Sequence, residues 1–86
     1  MIVIEGLASN ASNKPVAGAR VYFTSGPGSL PDIAALTAGD GRFSLTAPRS
    51  GRYEIACSAD GFETAKRNVE AVDGKRVKIV FHLQKL

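Results

Sequence analysis

The sequence contains no tryptophan, one cysteine, one histidine and two tyrosines. A single thiol, Cys57, rules out an intramolecular disulfide, so no covalent staple supports the fold. A lone imidazole, His82, cannot assemble a histidine-rich metal centre, which needs several ligands at close spacing. No apolar run approaches the ~20 residues of a membrane-spanning helix. The opening "MIVIEGLAS" lacks a basic segment followed by a long apolar one, so no signal peptide is visible. The expectation is a chain that stays inside the cell, forms a module of a larger polypeptide, or leaves by a route without a cleaved signal. There is no serine-elbow motif. Net charge is +3, from 11 basic and 8 acidic residues. The basic residues are scattered, the densest groups being Lys66-Arg67 and Lys75-Arg76-Lys78. That pattern lacks the dense basic stripe with stacking aromatics of a nucleic-acid binder.

What is present is a period of two. In "RVKIVFHLQ", Val77, Ile79, Phe81 and Leu83 alternate with Arg76, Lys78, Val80, His82 and Gln84. Ala19, Val21 and Phe23 alternate in "GARVYFT", as do Phe43, Leu45 and Ala47 in "RFSLTA" and Tyr53, Ile55 and Cys57 in "RYEIACS". Ile2, Ile4 and Gly6 share one face of the opening "IVIEGLA". Successive strand side chains point to opposite faces, so each run buries one side and wets the other. Turn signals separate the runs: "SNASNKP", "TSGPGSLPD", "AGDG", "APRSG", "ADG" and "DGK". Short strands punctuated this often indicate a sandwich or barrel.

Two segments carry mixed signals. Glu63 to Val72 sets Ala65, Val69 and Val72 at helical spacing, yet also allows Val69 and Ala71 on one strand face. Asp32 to Ala38 allows a helical turn opened by Pro31. In so β-rich a chain both are read as strands, the third (a short one) and the sixth of seven. The 86 residues are read as one domain, 1–86, burying roughly 60–65% of the surface its unfolded form exposes.

The glycine-rich "AGDGRFSL" invites a phosphate or calcium reading. A phosphate loop opens a helix whose N–H groups meet the anion. Here a strand follows, and Asp40 repels an anion. A calcium loop needs several closely spaced oxygen ligands, and Asp40 has no acidic neighbour between Ile33 and Pro48. Asp-Gly between alternating segments is instead a hairpin signal. Asp60-Gly61 and Asp73-Gly74 are read as turns in the same way.

The ordered set of Gly6, the run Pro15 to Val21, Thr37, Asp40-Gly41-Arg42-Phe43, Gly51-Arg52-Tyr53 and Asp60-Gly61-Phe62 resembles the carboxypeptidase regulatory-like family. The likeness extends from about Ile4 to Leu83. It implies an all-β, seven-stranded Greek-key β-sandwich of transthyretin-like or Ig-like type. It also implies an accessory role, since the metallopeptidases that carry such domains keep their chemistry in a separate catalytic domain. The family is frequent in exported and envelope proteins. Transthyretin-like hydrolases use several histidines and a tyrosine-rich tail, whereas this chain has one histidine and ends "HLQKL". Related adhesin modules place an isopeptide-forming lysine in the first strand, and "MIVIEGLA" has none.

The resulting expectation is a non-catalytic module with no cofactor and no metal. It would contact another protein or a neighbouring domain, or act as a spacer. The alternative is a carbohydrate- or cell-surface-binding module. Exposed edge strands also permit a homodimer. Candidate contact residues are Leu30, in the irregular stretch Thr24 to Asp32, and an outer-face set of Tyr22, Val80 and His82. That set forms one patch only if the second and last strands are neighbours. Cys57 is expected on an inward face and unreactive.

Overall fold

The computed structural model describes residues 2–30 and 33–86. Pro31 and Asp32, the proposed opening of the third segment, lie outside the described residues. Among the described residues seven strands follow one another: β1 (Ile2–Asn10), β2 (Arg20–Ser25), β3 (Ala35–Leu36), β4 (Arg42–Ala47), β5 (Gly51–Ser58), β6 (Ala65–Ala71) and β7 (Val77–Leu83). They form two sheets, β4-β1-β7 and β3-β2-β5-β6. Four of the six strand-to-strand connections pass from one sheet to the other, giving the expected Greek-key sandwich. Both segments with mixed signals are strands. The sixth is extended because Val69 and Ala71 are buried two residues apart on its inward face. A helix there would have turned one of them to solvent.

The alternating residues of every strand meet between the sheets. Ile2, Ile4, Val21, Tyr53, Ile55, Phe81 and Leu83 are at most 2% exposed and fill the middle. Each sheet carries one aromatic pair on its inner face: Phe23 with Tyr53 at 4.9 Å between ring centroids in the larger sheet, and Phe43 with Phe81 at 5.9 Å in the smaller. Those separations suit tilted rings. The Tyr53 hydroxyl donates to the Arg49 carbonyl at 2.8 Å and so anchors the corner that leads into β5. Gly6 faces the core at a point where nothing larger fits. A Cβ there would stand 2.3 Å from the Phe43 ring and 2.5 Å from the Ile79 carbonyl oxygen.

The Asp40-Gly41 loop closes as a tight turn, although the hairpin pairing expected of its flanking segments does not form. Gly41 N–H donates to Ala38 O at 2.8 Å and Ala38 N–H donates to Arg42 O at 2.9 Å. Gly41 takes φ 80°, the left-handed residue that ends a three-residue hairpin loop. The strands beyond the loop then diverge. β3 joins β2 in one sheet and β4 joins β1 in the other, so the loop carries the chain across the sandwich instead of joining two paired strands. The Asn10 loop repeats this geometry, with Asn13 N–H on Asn10 O at 3.0 Å and Asn10 N–H on Lys14 O at 2.9 Å. There Asn13 supplies the left-handed residue at φ 59°.

Candidate functional site

The outer face of the three-stranded sheet carries exposed aliphatic side chains beside charged ones. β1 lies at its centre, antiparallel to β4 and parallel to β7. Odd-numbered β1 residues point outward because Ile2, Ile4 and Ala8 point in. Register then sets the rows: Leu7 lies between Arg42 and Val80, Glu5 between Ser44 and Lys78, and Ser9 beside His82. Val3, Leu7 and Val80 are 41%, 36% and 39% exposed, although each is a large aliphatic. Around Leu7 and Val80 lies an open depression of about 500 Å³, flanked by Glu5, Asp40, Arg42 and Lys78. A second depression, of about 230 Å³, continues along Val3 and Glu5 to the Gly74–Arg76 turn.

The charged rim is partly self-satisfied. Arg42 Nε lies 3.5 Å from Asp40 Oδ2, and Asp40 Oδ1 also accepts the Arg42 N–H at 3.1 Å. Asp40 therefore braces its own turn, the role that alternation assigns it over a phosphate or calcium role. Arg76 Nη1 approaches Glu5 Oε1 at 3.6 Å. These pairs are open to water and contribute little to stability.

His82 is exposed on this face, as alternation predicts. Its Nδ1 is 3.1 Å from Ser9 Oγ, with the hydroxyl donating to the ring when the imidazole is neutral at that nitrogen. A serine beside a histidine suggests a nucleophile. Ser9, however, is only 5% exposed, and a nucleophile needs access together with a base oriented by a third group. Cys57 is fully buried on the inward face of β5. Burial pushes its thiol up to about 11, the opposite of activation. Among the described residues no three His, Cys, Asp or Glu side chains come together as metal ligands do.

Two of the expected contact residues require correction. Tyr22 lies on β2 and Val80 and His82 lie on β7, and these strands belong to different sheets. The condition for one patch is therefore not met. Tyr22 is half-buried on the far face, level with Ala56. Leu30 was expected as an exposed apolar side chain, but it is partly buried and packed against the core. Glycines let the loop fold back: at Gly26 a Cβ would meet Tyr53 at 2.4 Å and Leu30 at 3.0 Å. The connector is thus pinned to the corner tyrosine. Sequence reasoning passed over Val3, Leu7 and Ser9. The available signal was an opening strand apolar on both faces, which a half-wet strand does not need.

The model of the carboxypeptidase regulatory-like domain matches residues 3–84. No curated protein sequence matches the chain. Among solved structures, the major pilin subunit of Bacillus cereus is similar at TM-score 0.77 and 15% identity, over 95% of this chain and 28% of that one. A type II cohesin–X-dockerin complex from Acetivibrio cellulolyticus is similar at TM-score 0.68 and 14% identity, covering 96% of this chain and 57% of that one. A 3-chlorocatechol 1,2-dioxygenase from Rhodococcus opacus is similar at 0.68 and 13%, covering 99% and 59%. The chain spans less than two thirds of each of these proteins, and at such identities the likeness is one of fold. No helix among the described residues is long and apolar enough to cross a membrane.

Proposed function

Because this chain belongs to the carboxypeptidase regulatory-like domain family, we propose that it works as a non-catalytic accessory module that seats a neighbouring domain or another protein on the outer face of β4-β1-β7. The observation that carries this reading is the row of Val3, Leu7 and Val80, exposed on one uncovered sheet face. Removing apolar surface from water gains about 25 cal/mol per Å², and such patches mark contact surfaces. Arg42, Arg76 and Lys78 outnumber Glu5 and Asp40 around the row, so the fitting partner surface is apolar with an acidic rim. A pilin subunit and a cohesin–dockerin complex among the proteins of similar fold support a role in protein assembly. The buried Ser9 and Cys57 support the non-catalytic part. A carbohydrate platform calls for exposed flat aromatics, and Tyr22 is half-buried.

Thiol accessibility tests this reading. Val80→Cys and Thr24→Cys place reactive groups on opposite outer faces, while Cys57 stays buried. Labelling rates are compared between the isolated chain and the longer polypeptide or native assembly that contains it. The expected result is protection of position 80 in the assembly, with position 24 unchanged. Equal labelling of position 80 in both settings overturns the reading.

A further inference from the structure

The first and last strands are direct neighbours. β1 and β7 run parallel and pair over seven residues, Ile4 to Asn10 against Val77 to Leu83. Polypeptide preceding β1 therefore departs from the pole where Ile2 faces Ala47, and polypeptide following β7 departs from the other pole, beside Asn10. The tail after β7 stays in line, because Glu63 N–H donates to Gln84 O at 2.8 Å and Leu86 N–H donates to Gly61 O at 3.0 Å. The longest axis of the molecule is 33 Å. At about 3.3 Å per residue the nine residues of β1 run most of that length.

Tension applied between the two ends pulls β1 and β7 in opposite directions along their shared ladder. The evenly spaced bonds of a parallel pair are then strained together and not broken one after another. Neither strand can slip easily. β1 is also held on its other edge by β4 over Ile2 to Leu7. On the outer edge of β7, Arg67 Nη1 of β6 donates to the Val80 carbonyl at 2.7 Å. Ile4 and Ala8 on one strand and Ile79, Phe81 and Leu83 on the other are keyed into the core. A one-residue slide would turn each of them to solvent.

We propose that this domain bears tensile load, with the β1–β7 ladder acting as a shear clamp between the two poles. The proposal stands apart from the docking face, since it requires only register and topology.

Single-molecule pulling tests it. The full chain is stretched either through its two ends or through its N-terminus and a Lys75→Cys handle. Lys75 is exposed in the turn before β7, so the second geometry pulls both strands from the same pole and peels them apart. Cys57 is fully buried and does not compete for attachment. A urea melt checks that the handle leaves stability unchanged, and Asp73→Cys offers the same geometry should Lys75→Cys disturb it. The expected result is a several-fold higher unfolding force end to end than in the peeling geometry. Equal forces, or a weaker end-to-end response, overturn the clamp whatever the fate of the docking face.

Discussion

Thr37 shares one hydroxyl between two backbone groups. Its Oγ1 donates to Val16 O at 2.7 Å and accepts the Ala19 N–H at 2.9 Å, and the side chain is buried. Its own backbone adds two bonds, accepting from Gly18 N–H at 3.0 Å and donating to Ala19 O at 3.0 Å. One residue thereby holds the Pro15–Ala19 segment against the end of β3. Thr37→Val keeps the shape and strands both buried partners. Each unsatisfied group costs about 1–3 kcal/mol, so a loss on the order of 2–4 kcal/mol in urea unfolding is expected, with Thr37→Ser retaining most of the stability. Cys57 makes a second residue-scale prediction. Burial raises its thiol from an ordinary 9.0 to about 11, so on raising the pH the unfolded chain loses this proton before the folded one does. The stability contribution is intact below the ordinary value and is lost between about pH 9 and 11, by at most roughly 2–3 kcal/mol. The urea midpoint of the wild type should fall through that window more steeply than that of Cys57→Ala. Parallel curves would assign the alkaline loss to other groups.

At the scale of the strand, the smaller sheet has two edges, β4 and β7, and the outer edge of β7 is partly occupied. Unpaired edges template association with other chains. Here the long side chain of Arg67 reaches from β6 to occupy the Val80 carbonyl, and the C-terminal residues pair with Gly61–Glu63. Arg67 of the Lys66-Arg67 cluster is thus placed to guard this edge. Arg67→Ala should cost only about 0.5–1 kcal/mol, since the bond is exposed to water. It should nonetheless promote concentration-dependent association in sedimentation runs. A sedimentation coefficient independent of concentration would show that the arginine does not protect the edge. The loops teach a related lesson. Asp40-Gly41 reads correctly as a tight turn, because left-handed backbone is a local demand, but not as a hairpin, since β3 and β4 lie in different sheets. The partners of the strands on either side are not local, and the loop turned out to bridge the two sheets.

For the molecule as a whole, the division between what the chain states locally and what only folding decides follows from range. Side-chain alternation told which residues of each run face inward, because strand geometry is a property of consecutive residues. It placed Cys57, Phe81 and Leu83 inside and Val80 and His82 outside, and the ordered turns pointed to the family and its sandwich. Alternation cannot tell which strand lies beside which. Ser9 and His82 are 73 positions apart, and the neighbourhood of Leu7 with Val80 arises from pairing across nearly the whole chain. The same long-range pairing separated Tyr22 from the β7 residues. Leu30 followed another rule: its burial depends on glycines that let a loop fold over Tyr53, a contact made only once β2 and β5 are paired. Inward and outward were written in the sequence. Adjacency, and with it the apolar row and the parallel terminal ladder, came from packing two sheets around one core.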